Sequence, residues 1–324
     1  MLSGASSVNY DASDMEKVMS SDFTVSDPTA NFRVSESVAE VTRDLGPLGE
    51  LPGTWMGSGF NLISRPDQHD KKPFFLQLND TREILAFTDI GAPIPNRGSV
   101  QDDIHFLGVH YLQQVSDAMT NGALHIEPGL WLNLPATPAG PGTKPPAVPA
   151  SVVRLATIPH GDAVLAQGAA PPLKPVPGGP KIPVADSTPV NLTGPNAGTS
   201  NFPDPHYLDP FKNTPPPPGI PADARKNPNL VLTDAIKGQN IIETVTLDVD
   251  TQTALGGLPG GISNIPFVVE NANATRVQAT FWIEKVQLPG NSGYFMQLQY
   301  SQKISLDFLD IGWPHISVGT LVKQ

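Results

Sequence analysis

The residues best equipped for chemistry in this 324-residue sequence are histidines, because it carries seven of them and no cysteine. One opens the closing stretch, Gly312-Trp-Pro-His315-Ile-Ser-Val-Gly-Thr-Leu-Val-Lys-Gln324, which reads as a last β-strand. A neutral imidazole can give one ring nitrogen to a metal while the other donates to a carbonyl or carboxylate that fixes the tautomer. Pro314 removes an amide donor and favours an extended Trp313, so His315 meets its strand at a fixed angle. By residue type alone, a histidine so placed is more often a surface or capping residue. His110, within a strand, His125, two residues before Glu127, and His160, in a Pro159-His160-Gly161 turn, are further candidates for a pocket wall. His125 also suits a structural hydrogen bond to the neighbouring strand. His105 has no motif around it, and His69 and His206 lie in polar loop sequence.

Other chemistries find little support. Without cysteine there are no disulfides, thiolate zinc sites, iron–sulfur clusters or thiol nucleophiles. No nucleophile elbow, P-loop, dinucleotide fingerprint or His-Glu-x-x-His motif occurs. Asp102-Asp103 reads as a solvated turn, and Asp248 with Asp250 as the wet face of a strand more readily than as a cation site. The formal net charge of -11 repels phosphate backbones and anionic membranes, so nucleic acid is not an expected partner. No apolar run approaches the roughly 20 residues of a membrane helix, so no membrane insertion is expected. The opening residues lack a basic region followed by an apolar run. Together with the absence of cysteine this points to a cytoplasmic protein, and Asn79, Asn191 and Asn273 match the glycosylation pattern by chance.

The elements that must position the histidines are strands. Residues 1–50 are polar and read as an arm or lid, with short helices near Asp11–Ser20 and Ser35–Arg43. From Gly53 onward short runs of Val, Ile, Leu, Phe and Tyr are bounded by Gly, Pro, Asn or Asp. Between about Pro171 and Pro228 this pattern stops, in a chain with 36 prolines and 29 glycines. Proline lacks the amide donor that a helix interior or central strand requires, so this stretch is expected on the surface as coil and turns. A short helix is expected over Asn229–Lys237. Strands then resume. Val277, Ala279, Phe281 and Ile283 form one face of a strand, while Gln278, Thr280 and Glu284 alternate with them on a face expected to be wet.

About ten strand candidates without intervening helices predict an all-β protein, a single antiparallel up-and-down barrel. The barrel domain spans 51–324 and is interrupted by a Pro-rich insertion over 169–239. Closure also removes the exposed edges that open sheets must protect. Gly57 and Gly59 mark strong curvature, and Trp55, counted with the cofactor-binding residues, reads as a plug of the barrel floor.

Four patterns in this order resemble the nitrobindin-like haem proteins. They are Gly53-Thr-Trp55-Met-Gly57-Ser-Gly59; "HYLQQV" followed by His125-Ile-Glu127-Pro-Gly129-Leu-Trp131; "VVRLATIPHGDAVLAQG"; and "PHISVGTLVK". The resemblance covers about 51–168 and 240–324. It implies a ten-stranded barrel like that of fatty-acid-binding proteins, haem b as cofactor, and His315 as the iron ligand. It further implies binding of nitric oxide, or conversion of peroxynitrite or peroxide at the iron. Two positions depart from the family: His160 follows Pro159 instead of preceding it, and Leu132 replaces an arginine often found there. These departures favour an alternative, a haem-free lipocalin-like carrier of a fatty acid, terpenoid or similar apolar molecule. A scaffold role, with Pro215–Pro218 as a polyproline ligand, is a third reading. A small molecule is the expected partner, with homodimerisation left open.

Overall fold

A computed structural model describes residues 45–140, 142, 146–202 and 204–324, so the two helices expected near the N-terminus lie outside the described residues. Ten long strands form the barrel: β1 (Gly53–Asp67), β2 (Lys72–Asp89), β3 (Ile104–Asp117), β4 (Ala123–Leu134), β5 (Ser151–Ile158), β6 (Asp162–Ala169), β7 (Asn240–Asp250), β8 (Asn273–Gln287), β9 (Tyr294–Phe308) and β10 (Ile311–Lys323). Each pairs antiparallel with the next in sequence, and β10 returns to β1 with Gly59 opposite Gly319. The circle closes between β6 and β7 through the single pair Gln167–Asp250. There the two strands diverge, and each gains a short companion. Gly261–Asn264 pairs along β6, and Val176–Pro177 pairs along β7. The barrel is therefore closed, antiparallel and up-and-down, as the strand pattern predicts.

Two cores hold it. The first fills one end of the interior, where Trp55, Leu85, Tyr111, Trp131, Phe281, Leu298 and Leu321 pack together. Leu45, Leu48 and Leu51, ahead of β1, are fully buried in this cluster. The reading of residues 1–50 as an arm apart from the core is thus corrected at its end: a 3₁₀ turn at Gly46–Leu48 carries an apolar plug. Trp55 is anchored there by its indole N–H, which donates to the Leu51 carbonyl at 2.8 Å.

The second core lies on the outer surface. Phe60 and Leu62 alternate with the inward-facing Asn61 and Ile63, and they pack with Phe74, Leu76, Trp282, Trp313, Ile316 and Val318. The Pro-rich insertion covers them with Phe211, Ala224 and Leu232. It runs as coil and turns, with two short helices, α1 (Asp209–Asn213) and α2 (Asn229–Ala235). The expected wet face of β8 is therefore dry at Trp282 and Glu284. The alternation was read correctly, but a segment distant in sequence covers the polar side.

Glu284 is the electrostatic consequence. Gln297 Nε2 donates to its Oε2 at 2.5 Å, beside Gln239 where the insertion rejoins the barrel. Oε1 has no partner among the described residues. Burial pushes the carboxyl up to about 7, against an ordinary value of 4.5. A carboxyl raised in this way favours the fold while it is protonated in both states. That contribution is full below about pH 4.5 and is lost as pH rises through about 7. Urea unfolding between pH 4.5 and 8.5 is expected to show a loss on the order of 3 kcal/mol from this group. Glu284→Gln is expected to remove that part of the pH dependence, and an identical slope in the variant would contradict the assignment.

Candidate functional site

The end of the barrel opposite Trp55 is hollow. A cavity of about 590 Å³ occupies it, within the range of roughly 300–1,000 Å³ usual for small-molecule sites. Its walls are mainly apolar, with Ile63, Val115, Val164, Val277, Ile304 and Leu306 among them. A short helix, α3 (Pro266–Asn271), lies at the rim, where Phe267 lines the cavity and is also largely exposed.

His315 faces this cavity from the start of β10. Its Nε2 lies 2.8 Å from Asn61 Oδ1 on the adjacent strand, and Ser317 Oγ donates to the same oxygen at 2.9 Å. An amide oxygen only accepts, so Nε2 carries the proton and the lone pair is left on Nδ1. Burial, reinforced by the nearby His125 and His160, holds the ring's pKa down to about 3, which keeps it neutral at ordinary pH. The carbonyl that fixes the tautomer is thus that of an asparagine side chain.

His125 and His160 line the same cavity, with ring centroids 6.4 Å apart. His125 Nε2 lies 3.3 Å from Glu127 Oε2, so its structural hydrogen bond is to its own strand, not to the next. His110 does not join them. Val109 and Tyr111 point inward and are buried, so alternation places His110 on the exposed outer face of β3. Trp55 belongs to the core at the filled end and does not line the cavity. His105, His69 and His206 are exposed. Among the described residues no group of three or more His, Asp or Glu side chains is placed to hold a metal ion.

A polar layer separates the cavity from the filled end. At its centre Arg154 and Glu127 pair at 2.5 Å, both nearly inaccessible to solvent. Tyr111 donates to the same carboxylate, and Arg154 reaches Tyr111 Oη at 2.9 Å and Gln302 Oε1. The guanidinium also lies over the rings of Tyr111, Trp131 and Phe281, at 5.6, 5.9 and 5.3 Å. Burial alone would raise Glu127, but the Arg154 charge and the donors outweigh it and hold its pKa at about 2.

The second half of the layer surrounds Glu83. Thr81 Oγ1 donates to one carboxylate oxygen at 2.8 Å, while Tyr300 and Gln113 donate to the other at 2.6 and 3.3 Å. Glycine makes room for it. A β-carbon on Gly59 would stand 2.7 Å from Glu83 Oε1, and one on Gly319 would stand 2.5 Å from the Tyr300 ring. Gly59 of the opening motif, with Gly319 of the closing strand, therefore does more than allow curvature: the two leave the space that Glu83 and Tyr300 fill.

Sequence reasoning missed Asn61, Ser317, Glu83, Gln113, Arg154, Tyr300 and Gln302. The available signal was strand parity. Tyr111 and Gln113 on β3, and Tyr300 and Gln302 on β9, fall on inward faces that are otherwise apolar, while Thr81 and Glu83 share the inward face of β2 with Gln77.

Fold and cavity together define a closed antiparallel ten-strand barrel with a ligand-sized interior. No family model matches this sequence, and no curated protein matches it. A solved structure to which the chain is similar is that of Rv2717c from M. tuberculosis, at 14% identity and a TM-score of 0.40, covering 89% of this chain and 99% of that one. A likeness at that level carries no functional argument, and the barrel rests on this chain's own strand register.

Arg154→Met is expected to cost about 3–5 kcal/mol at pH 7, because it leaves Glu127 buried without its counter-charge. In the wild type, Glu127 contributes stability that is present above about pH 4.5 and lost as pH falls towards 2. Denaturant midpoints at pH 7, 4 and 2 should show this acid loss in the wild type, and Arg154→Met should lack it.

Proposed function

We propose that the protein binds a small, largely apolar molecule inside the barrel, as a haem-free carrier. The observation that carries this reading is the apolar-walled cavity of about 590 Å³ with a floor whose polar groups already bond one another. An occupant would gain from burying apolar surface, on the order of 25 cal/mol per Å², without breaking a hydrogen bond of the floor. The neutral dye Nile red is expected to bind purified protein with a blue-shifted, enhanced emission. Val277→Trp, which fills the hollow from β8, should abolish that signal while far-ultraviolet circular dichroism stays unchanged. Binding that survives in this variant would place the dye elsewhere and count against the reading.

Haem b is the second reading. The nitrobindin-like order of motifs favours it, and so does a neutral imidazole with one nitrogen anchored and the other's lone pair free. His315 would hold the iron, with His125 and His160 on the same cavity as groups able to hydrogen-bond a small ligand. Bound there, the iron would supply a site for nitric oxide, peroxynitrite or a peroxide. Two features weigh the other way. Arg65, at the exposed rim, is the only arginine or lysine among the described lining residues, whereas haem brings two carboxylates. Glu83 and Asp162 add acidic groups to the lining and no counter-charge for them. If haem is the occupant, reconstituted protein will show a Soret band that His315→Ala loses or shifts. A spectrum indistinguishable from that of free haem would leave the carrier reading alone.

A further inference from the structure

We propose that the cavity selects an amphipathic ligand whose polar end donates hydrogen bonds, an ammonium or hydroxyl group on an apolar body, and rejects fatty carboxylates, with Glu83 as the residue that decides. This rests on the carrier reading and adds the class of molecule carried.

The chain of donors at the floor runs one way. Gln113 Nε2 donates to Tyr300 Oη at 3.1 Å, and the Tyr300 hydroxyl in turn donates to Glu83. Thr81 donates to Glu83 as well. Glu83 is therefore where these bonds end. A carboxylate has about four acceptor positions, and these three donors leave one for a ligand. Glu83 also lacks a cationic partner: Glu127 in the same layer has Arg154, but no arginine or lysine among the described residues forms an ion pair with Glu83. Burial raises the Glu83 carboxyl above its ordinary range, and the hydrogen bonds from Tyr300, Thr81 and Gln113 oppose that rise. Nearer the mouth, Asp162 lines the same cavity with a buried Oδ1 that has no partner among the described residues. Glu83 at the floor and Asp162 nearer the mouth thus both keep acceptor capacity that a donor head can fill. Arg65, by contrast, is already engaged at the rim, over the Phe75 ring and donating to Gln77. A carboxylate pushed to the floor would face a second buried carboxylate with no cation between them. A donor head would complete the acceptor set.

The test is displacement of Nile red by dodecylamine, 1-dodecanol and dodecanoate at pH 7, each below its aggregation limit. The amine and the alcohol are expected to displace the dye at concentrations about tenfold or more below that of dodecanoate. In Glu83→Gln the gap is expected to shrink to about threefold or less, because the amide brings donors and removes the charge. The ranking in the unaltered protein decides even if that variant does not fold. Dodecanoate displacing as well as the amine would overturn the inference and leave the carrier reading standing. Failure of every ligand and of Nile red to bind would overturn both. A gap unchanged in folded Glu83→Gln would remove Glu83 from the selection.

Discussion

The pairing of Arg154 with Glu127 in the middle of the barrel is the constraint on which the rest of the interior depends. Neither charge reaches solvent, so each must be satisfied by the other and by neighbours fixed in place. Those neighbours come from around the circle: Tyr111 on β3, Gln302 on β9, and the rings of Trp131 on β4 and Phe281 on β8. Holding them at bonding distance fixes the register of strands far apart in sequence. A slip by one residue would turn every one of these side chains outward. The ion pair need not be worth much to overall stability to have this effect, because an incorrectly paired sheet would bury an uncompensated charge.

That layer also decides where the interior is full and where it is empty. Inward positions on β1 run Trp55, Gly57, Gly59, Asn61, and those on β10 run Leu321, Gly319, Ser317, His315. On β8, Phe281 is followed toward the cavity by Ala279, Val277 and Ala274. On β8 bulk lies on one side of the layer and small side chains on the other. The same circle of strands is therefore a packed core below and a cavity above. Removing solvent-exposed strand edges by closure would not by itself make a hollow; the gradient of side-chain size does.

Much of the fold was legible because strand alternation and proline placement are local signals. Val277, Ala279, Phe281 and Ile283 announce an inward face, and the run from Pro171 to Pro228 cannot be a central strand. His315, His125 and His160 do meet at one cavity. What local patterns could not reveal was pairing at a distance. His110 looked like its neighbours in type but has the wrong parity. Leu45, Leu48 and Leu51 sit in a stretch too short and mixed to read as core, and they gain meaning only beneath Trp55. Glu284 looked solvated because its cover, Gln239 and the insertion, lies more than forty residues earlier. Arg154 and Glu127 are each ordinary in sequence and become informative only as a buried pair.

The insertion has a physical role beyond length. A closed barrel presents two faces per strand, and on β1, β8 and β10 both are apolar at Phe60, Leu62, Trp282, Ile316 and Val318. Left uncovered, these residues would form a contiguous apolar patch of the kind that drives association. The insertion covers them with few regular elements, using Phe211, Ala224 and Leu232 as its apolar contacts and prolines to limit the freedom of the unfolded chain. It is also tied by polar bonds: Gln299 Nε2 donates to the Leu232 carbonyl at 3.0 Å and Lys303 Nζ to the Asp186 carbonyl at 3.0 Å. Gln299 and Lys303 flank Tyr300 and Gln302 on β9, whose side chains face the floor of the cavity. The cover outside and the polar layer inside therefore brace opposite faces of one strand, which holds the floor of the cavity at a fixed depth.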